Sequence, residues 1–86
     1  MPHVMIKMYP GRNMEQKREL AIRIVQAMEE TIGARRESIS LSFEEVKPED
    51  WDERVVKPDI VDRKELLFMA PGYSSKYEIP KVDTSM

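Results

Sequence analysis

The sequence contains no cysteine, one histidine and one tryptophan among its 86 residues. Without cysteine there is no disulfide framework, no thiolate nucleophile and none of the usual zinc sites, and a single histidine does not make a metal cluster. Long hydrophobic runs are also missing. No stretch approaches the ~18 apolar residues that span a bilayer, and there is no signal-peptide core. Charge of one sign is not in excess: 14 Lys and Arg stand against 16 Asp and Glu, for a net charge of −2. No basic run exceeds two residues, which argues against a nucleic-acid partner. No internal repeat or low-complexity tract interrupts the chain. The default expectation is therefore a soluble cytoplasmic protein with no metal. Its length and 41% hydrophobic content fit one small domain over residues 1–86, near the size at which a lone core is marginal.

What is present is a clear alternation of periods. In residues 2–9, Val4, Ile6 and Met8 point one way, and His3, Met5, Lys7 and Tyr9 the other, as in a strand. Pro10 and Gly11 end it. Asn13 is a good helix N-cap with Gln16 in the capping-box position. Leu20, Ala21, Ile24, Val25, Met28 and Ile32 then form a helical stripe. Lys17, Arg18, Arg23, Glu29 and Glu30 fall mostly on the solvent side, and Gly33 suits the C-cap, so a helix is expected over 14–32. From Ser38 to Val46 the period returns to two, with Ile39, Leu41 and Phe43 on one face and Ser40, Ser42 and Glu44 on the other. Strand, helix, strand reads as a right-handed crossover between parallel strands. Residues 48–51 look like a short helical turn presenting Trp51. A second, shorter helix is expected over 57–68, with Pro58 in its first turn, and a C-terminal arm or frayed end over 73–86.

The fold class expected is thus α+β: a βαβ unit over 2–51, and a second helix and arm over 52–86. A two-stranded parallel sheet is marginal alone, and parallel sheets are normally covered on both faces. One helix covers the Val4, Ile6, Met8 face. The Met5, Tyr9 face and both sheet edges need a second subunit, which predicts a symmetric homo-oligomer.

The chemically distinctive feature is Pro2. An initiator Met followed by a small residue such as proline is ordinarily removed, leaving a secondary amine. A free α-amino group titrates around 7.7–8.0, and an apolar pocket or a nearby cation lowers this further by disfavouring the charged form. Such a group takes and returns protons near neutral pH.

Pro2, the short strand, Gly11 and Arg12, then Glu15, Gln16 and Lys17 opening a helix, and the second parallel strand resemble the 4-oxalocrotonate tautomerase family. The resemblance runs without a gap from Pro2 to about Trp51. The later residues 71–74, Pro-Gly-Tyr-Ser, resemble the longer, dimer-forming, phenylpyruvate-type members. The resemblance implies a cofactor-free keto–enol tautomerase acting on a 2-hydroxyalkenoate or 2-keto acid, in which Pro2 is general base and then acid. It implies Arg12 as the anchor for the substrate carboxylate and Trp51 as an aromatic wall. Ser40 stands where the founding enzyme has a second arginine, which favours a substrate with one carboxylate. Arg35 or Arg36 compensating from the preceding loop, and a simple solvated pair, both remain open. His3 and Tyr9 share a strand face and are expected toward the partner and the pocket. A small carboxylate substrate, a homodimer rather than a homohexamer, and no nucleic acid or membrane partner complete the expectation. Two other readings stand beside it. One is hydration, dehalogenation or decarboxylation of short unsaturated acids, using Glu44, Glu45 or Asp50. The other is a non-catalytic oligomeric module, should Met1 be retained.

Overall fold

The computed structural model describes residues 1–82 and separates into two compact units, residues 1–45 and the chain from Val46 onward. In the first unit, strand β1 spans His3–Met8 and strand β2 spans Ser40–Glu45. They pair in parallel, with His3 opposite Ser40, Ile6 opposite Phe43 and Met8 opposite Glu45. Parallel neighbours require a crossover, and helix α1, Met14–Ile32, supplies it. The expected order, pairing and helix limits all stand.

Both ends of α1 are written locally. The Asn13 side chain accepts the Gln16 backbone N–H at 2.8 Å, and the Gln16 side chain accepts the Asn13 N–H at 3.0 Å. This capping box satisfies two of the helix's orphan donors. At the other end Gly33 takes φ 64°, a left-handed conformation that costs a side-chain-bearing residue about 1–2 kcal/mol.

One boundary and one side-chain placement differ from the pattern. β2 begins at Ser40 rather than Ser38, because Arg36–Ser38 form a 3₁₀ turn. The N–H groups of Ser38 and Ile39 go to the carbonyls of Arg35 and Arg36 and are lost to the ladder. Lys17, assigned by pattern to the solvent face, has a side chain only 16% exposed and pairs with Glu45 at 2.9 Å. It lines the same crevice as Met8 and Leu20, where a long aliphatic stem stays covered while its ammonium finds a partner.

The second unit opens with a 3₁₀ turn at Pro48–Asp50, leading through Trp51 into helix α2, Asp52–Val61. The expected second helix exists, but it starts five residues earlier than the pattern placed it and ends at Val61 rather than Phe68, and Pro58 lies inside it rather than in its first turn. The helix is of the wide π type, and the Asp62 N–H reaches the Lys57 carbonyl at 2.9 Å. An interior proline lacks an N–H and crowds the carbonyl four residues back, and a turn one residue longer accommodates both defects. The apolar pairs Val55, Val56 and Ile60, Val61 recur at a spacing of five, which suits this wider turn better than a period of 3.6. Beyond α2 only a 3₁₀ turn at Lys64–Leu66 is regular among the described residues. Residues 83–86 of the expected arm lie outside the described residues.

Among the described residues the buried hydrophobic ones are Val46, Val55 and Val56, all in the second unit. In the first unit Met5 and Tyr9, on the sheet face opposite α1, are 48% and 49% exposed. That face leaves apolar surface half-exposed. No described helix is long and apolar enough to cross a membrane.

Candidate active site

At the start of β1, Pro2 is half-buried, and its carbonyl accepts the Ser40 N–H at 3.1 Å. This bond extends the ladder one residue past the strand and fastens the Pro2 backbone to β2. Beside it, His3 Nδ1 and Ser40 Oγ are 2.6 Å apart, so the hydroxyl at position 40 is engaged by the histidine across the ladder. The structure therefore brings together Pro2, His3 and Ser40. With Met1 attached, the Pro2 nitrogen is an amide and has no basicity. Met1 itself stands fully exposed.

Tyr9 and Arg12 lie beyond the other end of the strand. The chain turns at Pro10 and Gly11, where Gly11 takes φ 130°, a conformation side-chain-bearing residues rarely adopt. Arg12 is exposed and borders a crevice of about 140 Å³ with Met8, Gln16, Lys17 and Leu20. It makes no ion pair with a described residue. The loop does not fold back, because Asn13 is already committed to capping α1. Six strand residues at about 3.3 Å each separate the ends of β1 by roughly 20 Å. Pro2 and Arg12 of one chain are thus at opposite ends of the same strand.

The other arginines considered are engaged. Arg36 makes a two-pronged contact with Glu29 at 2.9 and 3.2 Å, which holds its guanidinium above its ordinary pKa. Arg35 pairs with Glu37 at 2.5 Å. Glu45, one of the carboxylates that water-activating chemistry would need, is held by Lys17.

Trp51 belongs to the second unit and is half-buried. Its indole N–H donates to the Tyr73 hydroxyl at 2.9 Å. Around this bond the chain closes a clasp. Ser75 donates to the Asp52 carboxylate at 2.6 Å, the Lys76 N–H approaches the same carboxylate at 3.5 Å, and the Tyr77 hydroxyl donates to Glu53 at 2.7 Å. Lys76 also pairs with Glu53. Lys76 and then Tyr77 hold the Glu53 carboxyl below its usual range, and Glu53 in turn raises both of their pKa values. Sequence reasoning missed this clasp, because no periodicity links 51–53 to 73–77. The available signal was compositional: four hydroxyl groups and a lysine within five residues, and two carboxylates directly after the tryptophan. Among the described residues no three His, Asp or Glu side chains are grouped to hold a metal ion.

The family described as "Tautomerase enzyme" matches residues 2–53. The chain belongs to the tautomerase family. A probable tautomerase of Xylella fastidiosa (strain 9a5c) is 35% identical over 81 residues, covering 94% of this chain and 99% of that one. The 2-hydroxymuconate tautomerase of Bacillus subtilis (strain 168) is 41% identical over 51 residues, 59% of this chain and 82% of that one. A solved structure from work on the 4-oxalocrotonate tautomerase isozymes of Methylibium petroleiphilum superposes with a TM-score of 0.55 at 36% identity. It covers 58% of this chain and 81% of its own. The tautomerase resemblance read from Pro2 to Trp51 is borne out. The family match stops at residue 53, so the tail side of the clasp, from Tyr73 onward, lies outside it.

Proposed function

We propose that this tautomerase-family chain is a cofactor-independent keto–enol tautomerase acting on a 2-hydroxyalkenoate or 2-keto acid with a single carboxylate. Removal of the exposed Met1 turns the Pro2 nitrogen into a secondary amine. The amine takes the proton of the enol hydroxyl and returns a proton to carbon, so that it acts as base and then as acid and ends the cycle unchanged. A cation nearby and incomplete hydration both disfavour the protonated amine and keep the base available at neutral pH.

The observation that carries this reading is the seating of Pro2. In a tautomerase-family chain, its backbone is tied to Ser40 at the head of a parallel ladder, and its nitrogen is one peptide bond from being an amine. The separation of Arg12 from Pro2 along β1 supports a site assembled from two copies, in which Arg12 of one holds the carboxylate for Pro2 of the other. An arginine grips a carboxylate with two parallel bonds and is the fitting residue for the role. The half-exposed Met5, Tyr9 face supports a homodimer as the minimal assembly. Ser40, engaged by His3, offers no charge to a second carboxylate, which supports a monocarboxylate substrate. Trp51 provides the apolar wall.

The test is Pro2→Ala in protein whose intact mass shows that Met1 is gone, assayed on phenylenolpyruvate and 2-hydroxymuconate. Turnover is expected to fall by orders of magnitude while light scattering reports the same oligomer. Unchanged turnover overturns the assignment.

A further inference from the structure

We propose that Tyr73 is a positioning residue for the tautomerase site: its phenol oxygen takes the indole N–H of Trp51 and fixes the ring against which an aryl-bearing enol acid packs. The inference rests on the reading of Trp51 as the wall of that site. A tryptophan has one polar atom, the indole N–H, and it can only donate. Two side-chain torsions orient the ring, so fixing that one atom decides which way the ring face turns. In this chain the partner is Tyr73 Oη at 2.9 Å.

Tyr73 is itself held. It sits at the head of a segment tied down by Ser75 and Lys76 on Asp52 and by Lys76 and Tyr77 on Glu53. These anchoring carboxylates immediately follow Trp51 in the chain. Both ends of the Trp51–Tyr73 bond are thus fastened within a few residues of the bond itself. A wall held in one orientation loses little freedom when a flat aryl group stacks on it, and the benefit appears in substrate binding rather than in proton transfer. A small aliphatic enol, with less surface to stack, gains less.

The chain has one tryptophan, so a single indole N–H resonance reports on this contact. Tyr73→Phe removes only the hydroxyl from a residue that is 45% exposed, and the fold is expected to persist. The indole signal is expected to move. The KM for phenylenolpyruvate is expected to rise roughly threefold to tenfold, as for a neutral hydrogen bond lost. Its kcat is expected to stay within about twofold, and the KM for 2-hydroxy-2,4-pentadienoate is expected to change less than that for phenylenolpyruvate. In a Trp51→Phe background, which has no indole donor, Tyr73→Phe is expected to be silent.

A shifted indole signal with unchanged KM overturns the proposal and leaves Tyr73 a structural contact, with the tautomerase reading intact. A KM effect that persists in Trp51→Phe overturns the route through the ring. If the wild-type protein, freed of Met1, turns over neither substrate, the functional reading itself fails and the proposal falls with it.

Discussion

If the site is assembled from two chains, two inactive variants should repair each other. The perturbation is to mix Pro2→Ala with Arg12→Ala. Within one chain the two residues are separated by the length of β1, roughly 20 Å, and the intervening turn is pinned by the Asn13 cap. A single chain therefore does not bring them to one substrate. Arg12→Ala alone removes a charged hydrogen-bonding pair worth about 1.5–3 kcal/mol, which lowers kcat/KM by roughly 10- to 160-fold. Pro2→Ala removes the base and lowers kcat further. After the two variants are unfolded together at equal concentration and refolded, chains combine at random. A given site receives an intact Pro2 half the time and an intact Arg12 half the time. About one quarter of the wild-type activity is then expected per chain, in a dimer or in any larger ring with two-chain sites. The assay is enol-to-keto conversion followed by absorbance, with each parent refolded alone as control. Activity no greater than the mean of the two parents would show that both residues act from one chain, and the two-chain argument would be wrong.

Three further outcomes follow from the same structure. Asn13→Ala removes one half of the capping box and is expected to cost about 1 kcal/mol, which calorimetry would detect as a Tm lower by about 4–8 °C. Met5→Glu places a charge on the half-exposed sheet face and is expected to weaken the oligomer, seen as a lower mass by light scattering, with activity falling in parallel. The clasp is expected to open in acid. Glu53 has a depressed pKa, so its contribution is present above the ordinary glutamate value of about 4.3 and is lost as pH falls through the folded value. Lys76 and Tyr77 have raised values, so their contributions hold through neutrality and fade only above about pH 10. Amide exchange at Lys76 and Tyr77 should therefore lose protection below about pH 4. Protection unchanged down to pH 3 would remove the role given to Glu53.

Much of the first unit was legible in the sequence because its signals are local. Asn13 and Gln16 cap a helix whatever lies around them, Gly33 stops it, and a change of period from two to 3.6 and back leaves a parallel crossover as the natural connection. Pro2 was legible as a candidate because it directly follows Met1, and Arg12 only through the resemblance to the tautomerase family. The start of α2 was not legible. Pro58 reads as a first-turn residue in a helix of 3.6, and only a wide turn, with Val55, Val56, Ile60 and Val61 spaced by five, reconciles it with an interior position.

The sequence by itself determined the order of elements, the parallel pairing and the helix caps, and it nominated Pro2 as a candidate base, because each depends on residues a few positions apart. Only the tertiary structure decided that Lys17 turns inward to Glu45, that Arg35 and Arg36 are occupied by glutamates, and that His3 engages Ser40. The tie between Trp51 and Tyr73 across 22 residues was likewise beyond the pattern. Those contacts join segments distant in the chain, and which charge or hydroxyl meets which is settled by distance in space rather than by any period along the backbone.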